Sequence, residues 1–240
     1  MRKLPSPSVE TARYQIAWVM SAVLSLLFLA ACRTAPVDPE STIVAVPPLP
    51  DAPIYRIDPR ASRIHVLVFR AGPLARFGHN HVLVAPLQGV IHAGEYAEES
   101  GFRIEVDADA FVVDSPDIRA LYGKDFATEI SAGARKATRD NMLGEAVLDA
   151  SRFPRIVVES IALSGPRWNP LVRARITLRG TVRAVEFPAA VFQGSDGITV
   201  IANFTVSQSA FGIEPFSILG GGLSVRDELD VKVRVVASRE

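Results

Sequence analysis

The sequence predicts an all-β protein, an antiparallel sandwich or closed barrel interrupted by one helical insertion. Three observations carry this. Several segments alternate apolar and polar residues with a period of two, which places the two sets on opposite faces of a strand. Turn signals separate these segments at short spacing: Ala71-Gly72-Pro73, Gly94, Ser164-Gly165-Pro166, Gly194-Ser195-Asp196-Gly197 and Gly220-Gly221-Gly222. One stretch, Asp114 to Asp149, breaks the alternation and reads as helical.

Taken in chain order, the N-terminus comes first. Arg2, Lys3 and Arg13 precede an apolar run from Ile16 to Ala30. The run has the length of a signal-peptide core and is short for a membrane span of roughly 20 residues. It ends in Leu29-Ala30-Ala31-Cys32, which resembles a bacterial lipobox whose cysteine is lipidated and begins the mature protein. The competing reading is an uncleaved anchor or an ordinary secretory signal. Arg33 rather than Asp follows the cysteine, which in the bacterial sorting pattern favours the outer membrane. Residues 1–31 are thus expected to be a lipoprotein signal peptide and 32–53 a Pro-rich tether. The folded domain is expected over 54–240, on the periplasmic side of a bacterial cell envelope.

The strands follow. Ser62–Phe69, Val82–His92 and Arg155–Leu163 are apolar on both faces. In Gly101–Ala110, Phe102, Ile104, Val106, Ala108 and Ala110 oppose Arg103, Glu105, Asp107 and Asp109. In Val172–Ala184, Val172, Ala174, Ile176, Leu178 and Val182 oppose Arg173, Arg175, Thr177, Arg179 and Arg183. Ile198, Val200, Ala202, Phe204 and Val206 share one side of the next strand, and Leu229, Val231, Val233 and Val235 one side of the last. In the insertion, Ser115 is the expected N-cap, Pro116 the first helical residue and Gly144 the point where a helix ends.

These segments resemble the YceI-like family of bacterial periplasmic proteins. The resemblance is carried by Tyr55–Phe69, by Arg139–Ser160 with its Arg-Asp, Leu and Phe-Pro, by Ala174–Val191 with its Leu-x-x-Gly-x-x-Arg turn, and by the Phe211-Gly212-Ile213 loop with the final strand. It spans about Tyr55 to Ala237. It implies an antiparallel lipocalin-like β-barrel of about eight strands, with a helical insertion near 115–149, around an apolar ligand of isoprenoid or fatty-acyl type. A barrel of about eight strands is just wide enough to be filled by side chains or to hold one small ligand. Ala108, Ala110, Ala174 and Ala202 leave room, although small residues can also fit a tapering, filled barrel. The chain departs from the family pattern at Ser207-Gln208-Ser209, where many members carry a basic residue. It also departs in the length of the insertion and in the run Gly78-His79-Asn80-His81.

The candidate barrel lining is Phe102, Ile104, Val106, Ile176, Leu178, Val200, Phe204, Val231 and Val233. Three of the four histidines lie between Phe77 and His92, and the fourth, His65, is just upstream. His79 and His81 are two apart, hence on one side of a strand, and His65, on the preceding strand, is expected to face them across the hairpin. They could ligate a metal or haem, contact a polar ligand head group at the barrel entrance, or play a structural role at the rim. The arginine row could attract anionic head groups or be a solvated strand face.

Other classes find little support. Lys and Arg number 26 and Asp and Glu 26, so nothing in the charge points to nucleic acid. A single cysteine excludes an intramolecular disulfide and multi-cysteine metal sites. No nucleophile–base or acid–base pair is evident, and an enzyme is not expected. Three readings stand: a lipid-anchored apolar-chain binder with no firm cofactor, a metal- or haem-associated protein using the histidines, and an envelope protein with a filled barrel and no ligand.

Overall fold

A computed structural model describes residues 45–240. The expected signal peptide, Cys32 and most of the tether lie outside the described residues. The strands are β1 (Ile54–Ile57), β2 (Arg63–Val68), β3 (Arg70–Ala71), β4 (His81–Pro86), β5 (Gln88–His92), β6 (Gly101–Asp107), β7 (Val112–Val113), β8 (Arg155–Ser164), β9 (Leu171–Leu178), β10 (Thr181–Gln193), β11 (Gly197–Ser207), β12 (Ser217–Ile218), β13 (Leu223–Val225) and β14 (Glu228–Arg239). Two α-helices, α1 (Pro116–Arg119) and α2 (Ala132–Leu143), lie between β7 and β8.

The architecture is a closed, eight-stranded antiparallel barrel, in agreement with the expected fold class. The ring runs β1-β5-β6-β8-β9-β10-β11-β14, and β1 closes it by pairing with β14, Tyr55 opposite Arg239. Further along β14 the partner is β2, and β2 pairs in turn with β4. The first two strands of the barrel wall are therefore each broken once, between β1 and β2 and at Leu87 between β4 and β5. The expected single strand Val82–His92 is thus two. Closure leaves no free edge in the ring and turns one face of every strand inward. Gly89 is where the backbones come closest: its φ is +140°, and a Cβ there would sit 2.0 Å from the carbonyl oxygen of Arg103.

The structure departs from the expected strands in two further places and refines the rest. The strand expected over Gly101–Ala110 ends at Asp107. Ala108–Ala110 form a 3-10 turn that carries the chain across to pair with β4 as β7. The alternation of Val172–Ala184 does not continue through the turn. Arg179 and Gly180 both have positive φ and make a two-residue hairpin, so Leu178 pairs directly with Thr181 and the phase inverts. Val182 therefore faces outward and Arg183 lies opposite inward-facing Ile176. The expected helical insertion is present. It comprises α1, a 3-10 stretch over Ala120–Phe126, and α2, which does end before Gly144. The Ser115 side chain makes no cap bond, whereas Ser131 caps α2 by accepting from the Ala134 N–H at 3.2 Å. Finally, contact with the barrel begins before residue 54. The carbonyl of Pro50 bonds His92 at 2.8 Å, and that of Pro53 accepts from Ala93 at 2.9 Å.

The insertion covers the outer face of β2 and β4, where Leu67, Val82 and Phe126 are buried among Phe69, Ile118 and Tyr122. Arg139 ties α2 to the wall by donating to the carbonyl oxygens of Asp109 and Phe111. Phe153, from the Phe-Pro motif, packs on Gly180, where a Cβ would approach its ring to 2.8 Å.

Candidate functional site

Inside the ring, the inward side chains pack into hydrophobic clusters and still leave space between them. Among the described residues this space includes cavities of about 150 and about 240 Å³. Ile64, Ile156, Val158 and Phe204 line both, so the cavities adjoin along the barrel. All nine expected lining residues are there. Phe102, Ile104, Val106, Val200 and Val233 line the first, Ile176, Leu178 and Val231 the second, and Phe204 both. Strand alternation explains why these side chains were identifiable. The curvature that keeps opposite walls apart is a property of the closed ring.

The first cavity is walled by Phe102, Val172, Phe187, Ala189 and Ala202. Ala189 and Ala202 are direct neighbours across β10 and β11, and two methyl groups there leave the space open. The ring of Phe187 stacks on Phe204, centroids 4.2 Å apart and 12° from parallel. Arg167, Ser100 and Gln193 add polar groups to its lining.

The second cavity is aliphatic along the strands and is lined toward the insertion and the Phe-Gly-Ile loop by Phe111, Met142, Phe211 and Ile213. Its polar members are His81, Thr138, Asn141, Ser207 and Gln208. His81 is opposite Val68, which also faces inward. Its Nδ1 bonds the Asp114 carboxylate at 2.6 Å. Asp114 is 0% exposed and also accepts from Arg119 Nη1 at 2.6 Å and from the Val82 N–H at 2.9 Å. Arg119, itself 5% exposed, reaches the carbonyl oxygens of Asn80 and Thr128. Burial alone would raise the Asp114 carboxyl pKa. The hydrogen bonds from His81, Val82 and Arg119 more than offset this and hold it below the ordinary value.

The histidines do not converge as expected. His65 pairs with Val84, so it lies on the outer face of the sheet, opposite to His81, where its Nδ1 bonds the Tyr122 hydroxyl at 2.7 Å. His79 and His81 are neighbours, ring centroids 4.6 Å apart and edge-on. Burial first, and then the charge of His81, lowers the pKa of His79. Among the described residues, no three His, Cys, Asp or Glu side chains are grouped to hold a metal ion. Asn80, between the two histidines, links hairpin and insertion: its Oδ1 accepts from Arg70 N–H and its Nδ2 donates to the Asp125 carbonyl, each at 3.0 Å.

Sequence reasoning missed Asp114 and Arg119. Asp114 was legible only as the residue before a helix start, and its partner His81 is 33 positions away. The arginine row does not form either. Arg179 lies in the hairpin and donates to the Gly212 and Glu145 carbonyls, while Arg175 on the outer face pairs with Glu159 at 2.6 Å.

The chain matches the YceI-like domain over residues 55–237. A comparison with curated protein sequences finds no match. Among solved structures, the crystal structure of BcnA from Burkholderia cenocepacia is similar, with TM-score 0.52 and 16% identity over 75% of this chain and 98% of that one. The YCEI protein of Campylobacter jejuni aligns with TM-score 0.46 and 12% identity over 64% of this chain and 81% of that one. The chain belongs to the YceI-like family.

Proposed function

We propose that this YceI-like barrel is a carrier that holds one apolar chain, of isoprenoid or fatty-acyl type, in its interior. The observation that carries the reading is the pair of adjoining, mostly apolar cavities left inside a closed barrel. Protein interiors are ordinarily close-packed, and voids are costly to the side chains around them. A ligand chain restores those contacts and leaves water at about 25 cal/mol per Å² of apolar surface. The reading is of a binding protein, not an enzyme.

The same proposal places the barrel on the periplasmic face of the envelope, held to the outer membrane through acylated Cys32. The Leu-Ala-Ala-Cys run after an apolar core supports this. No helix among the described residues is long and apolar enough to cross a membrane. Replacement Cys32→Ala is expected to abolish metabolic labelling by palmitate; undiminished labelling overturns the anchor.

The test of the carrier is native mass spectrometry of the intact chain, followed by organic extraction. The expected result is a mass excess that moves into solvent, after which the emptied barrel takes up N-phenyl-1-naphthylamine with a fluorescence rise. A chain of bare mass that takes up no probe overturns it.

A further inference from the structure

We propose that His81 is the receptor for a hydrogen-bond-donating head group, the hydroxyl of an alcohol or phenol, on the amphiphile whose chain fills the barrel. This rests on the carrier reading and narrows its ligand class.

His81 lines a cavity walled mostly by apolar side chains such as Val66, Val68, Leu83 and Val231, with Thr138, Asn141, Ser207 and Gln208 as its other polar members. The Nδ1 of His81 is committed to the Asp114 carboxylate and carries a proton there, and in the neutral form of the ring Nε2 is left as an acceptor pointing away from Asp114. Among the described residues, no hydrogen bond uses Nε2. The ring is held from three sides: by Asp114, by the edge-on contact with His79, and by its strand. Asp114 in turn is held by Arg119 and the Val82 N–H. Burying such a pair is unfavourable compared with apolar residues of the same volume. A barrel that needed only a closed end would be served by packing alone. What the array achieves is an acceptor held in one orientation among the cavity's few polar groups, and an acceptor so placed favours a ligand that donates.

The charge pattern selects against an anionic head at this end. Arg119 spends its guanidinium on Asp114, Asn80 and Thr128, and no Lys or Arg lines this cavity among the described residues. Asp114 adds a negative charge directly behind the ring. Arg167 lines the other cavity. A carboxylate-headed chain would therefore enter in the opposite sense.

The test is competition against N-phenyl-1-naphthylamine on the delipidated intact chain with three probes: dodecan-1-ol, its methyl ether 1-methoxydodecane, and dodecanoate. The expected result is that the alcohol displaces the dye at about tenfold lower concentration than the ether, the size of one buried hydrogen bond and the acceptor it satisfies. In His81→Phe the two are expected to be equal. Should that variant fail to fold, the wild-type chain still decides. Its His81 Nε2 nitrogen resonance should move on adding the alcohol and not on adding the ether. Equal displacement by alcohol and ether in wild type, with both binding, overturns this assignment and leaves the carrier standing. Dodecanoate binding best and indifferent to His81 also overturns it. Displacement by none of the three removes the carrier reading and this one with it.

Discussion

The two cavities of the barrel interior share walls and differ in their polar members. The first is bounded by Phe187 stacked on Phe204, with Ala189 and Ala202 leaving a gap, and carries Arg167, Ser100 and Gln193. The second carries His81, held by Asp114 and, through it, by Arg119 from the insertion. An apolar wall accepts any chain of suitable size, whereas a fixed acceptor distinguishes one head from another. In the proposed carrier, capacity and selectivity lie in separate places.

The largest expected effect breaks the polar end. Asp114→Ala leaves Arg119 buried without its carboxylate, which costs about 3–5 kcal/mol. Urea unfolding should show this as a lower midpoint; a midpoint within error of wild type would mean the array contributes nothing to the fold. Next comes Ala202→Phe at the apolar end. If it excludes three methylenes, at about 0.8 kcal/mol each, affinity for a long chain falls roughly 50-fold. Octan-1-ol, which needs only the polar end, should bind as before. Equal loss for long and short alcohols would show that the two cavities are not used separately.

The smallest effect sharpens the contrast between the two faces of the β2–β4 wall. Burial, followed by the charges of Arg63 and Lys232, lowers the His65 pKa below its ordinary 6.5. Just below pH 6.5 the unfolded chain then binds more protons than the folded one, so stability falls as pH is lowered through that window. His65→Gln should flatten part of this decline, and His79, lowered in the same direction, should account for more of it. Asp114 acts lower on the scale. Its depressed pKa gives stability that is complete above its unfolded value of 3.8 and lost as pH falls toward the native value. A stability profile flat from pH 7 to 5 would contradict the assignment for both histidines.

Strand alternation was readable because it is a local property: successive side chains on an extended backbone point to opposite faces wherever the strand ends up. That is why Phe102 to Val233 could be assigned to one lining before any fold was known, and why the cap-like Pro116 and Gly144 bracket helical structure. The same counting failed at Val182 and Arg183, because a two-residue turn inverts the phase and its geometry rests on the backbone of Arg179 and Gly180. It could not separate His65 from His81, which depends on the register of β2 against β4. It had no means of joining Asp114 and Arg119 to His81, because the insertion must first fold back on the wall. By itself the sequence determined the class of fold and most of the inward set of side chains, both of which follow from local chemistry. Only the tertiary structure decided that the interior stays open and that His81 meets Asp114 and Arg119, because volume and the burial of charge are settled when distant walls meet.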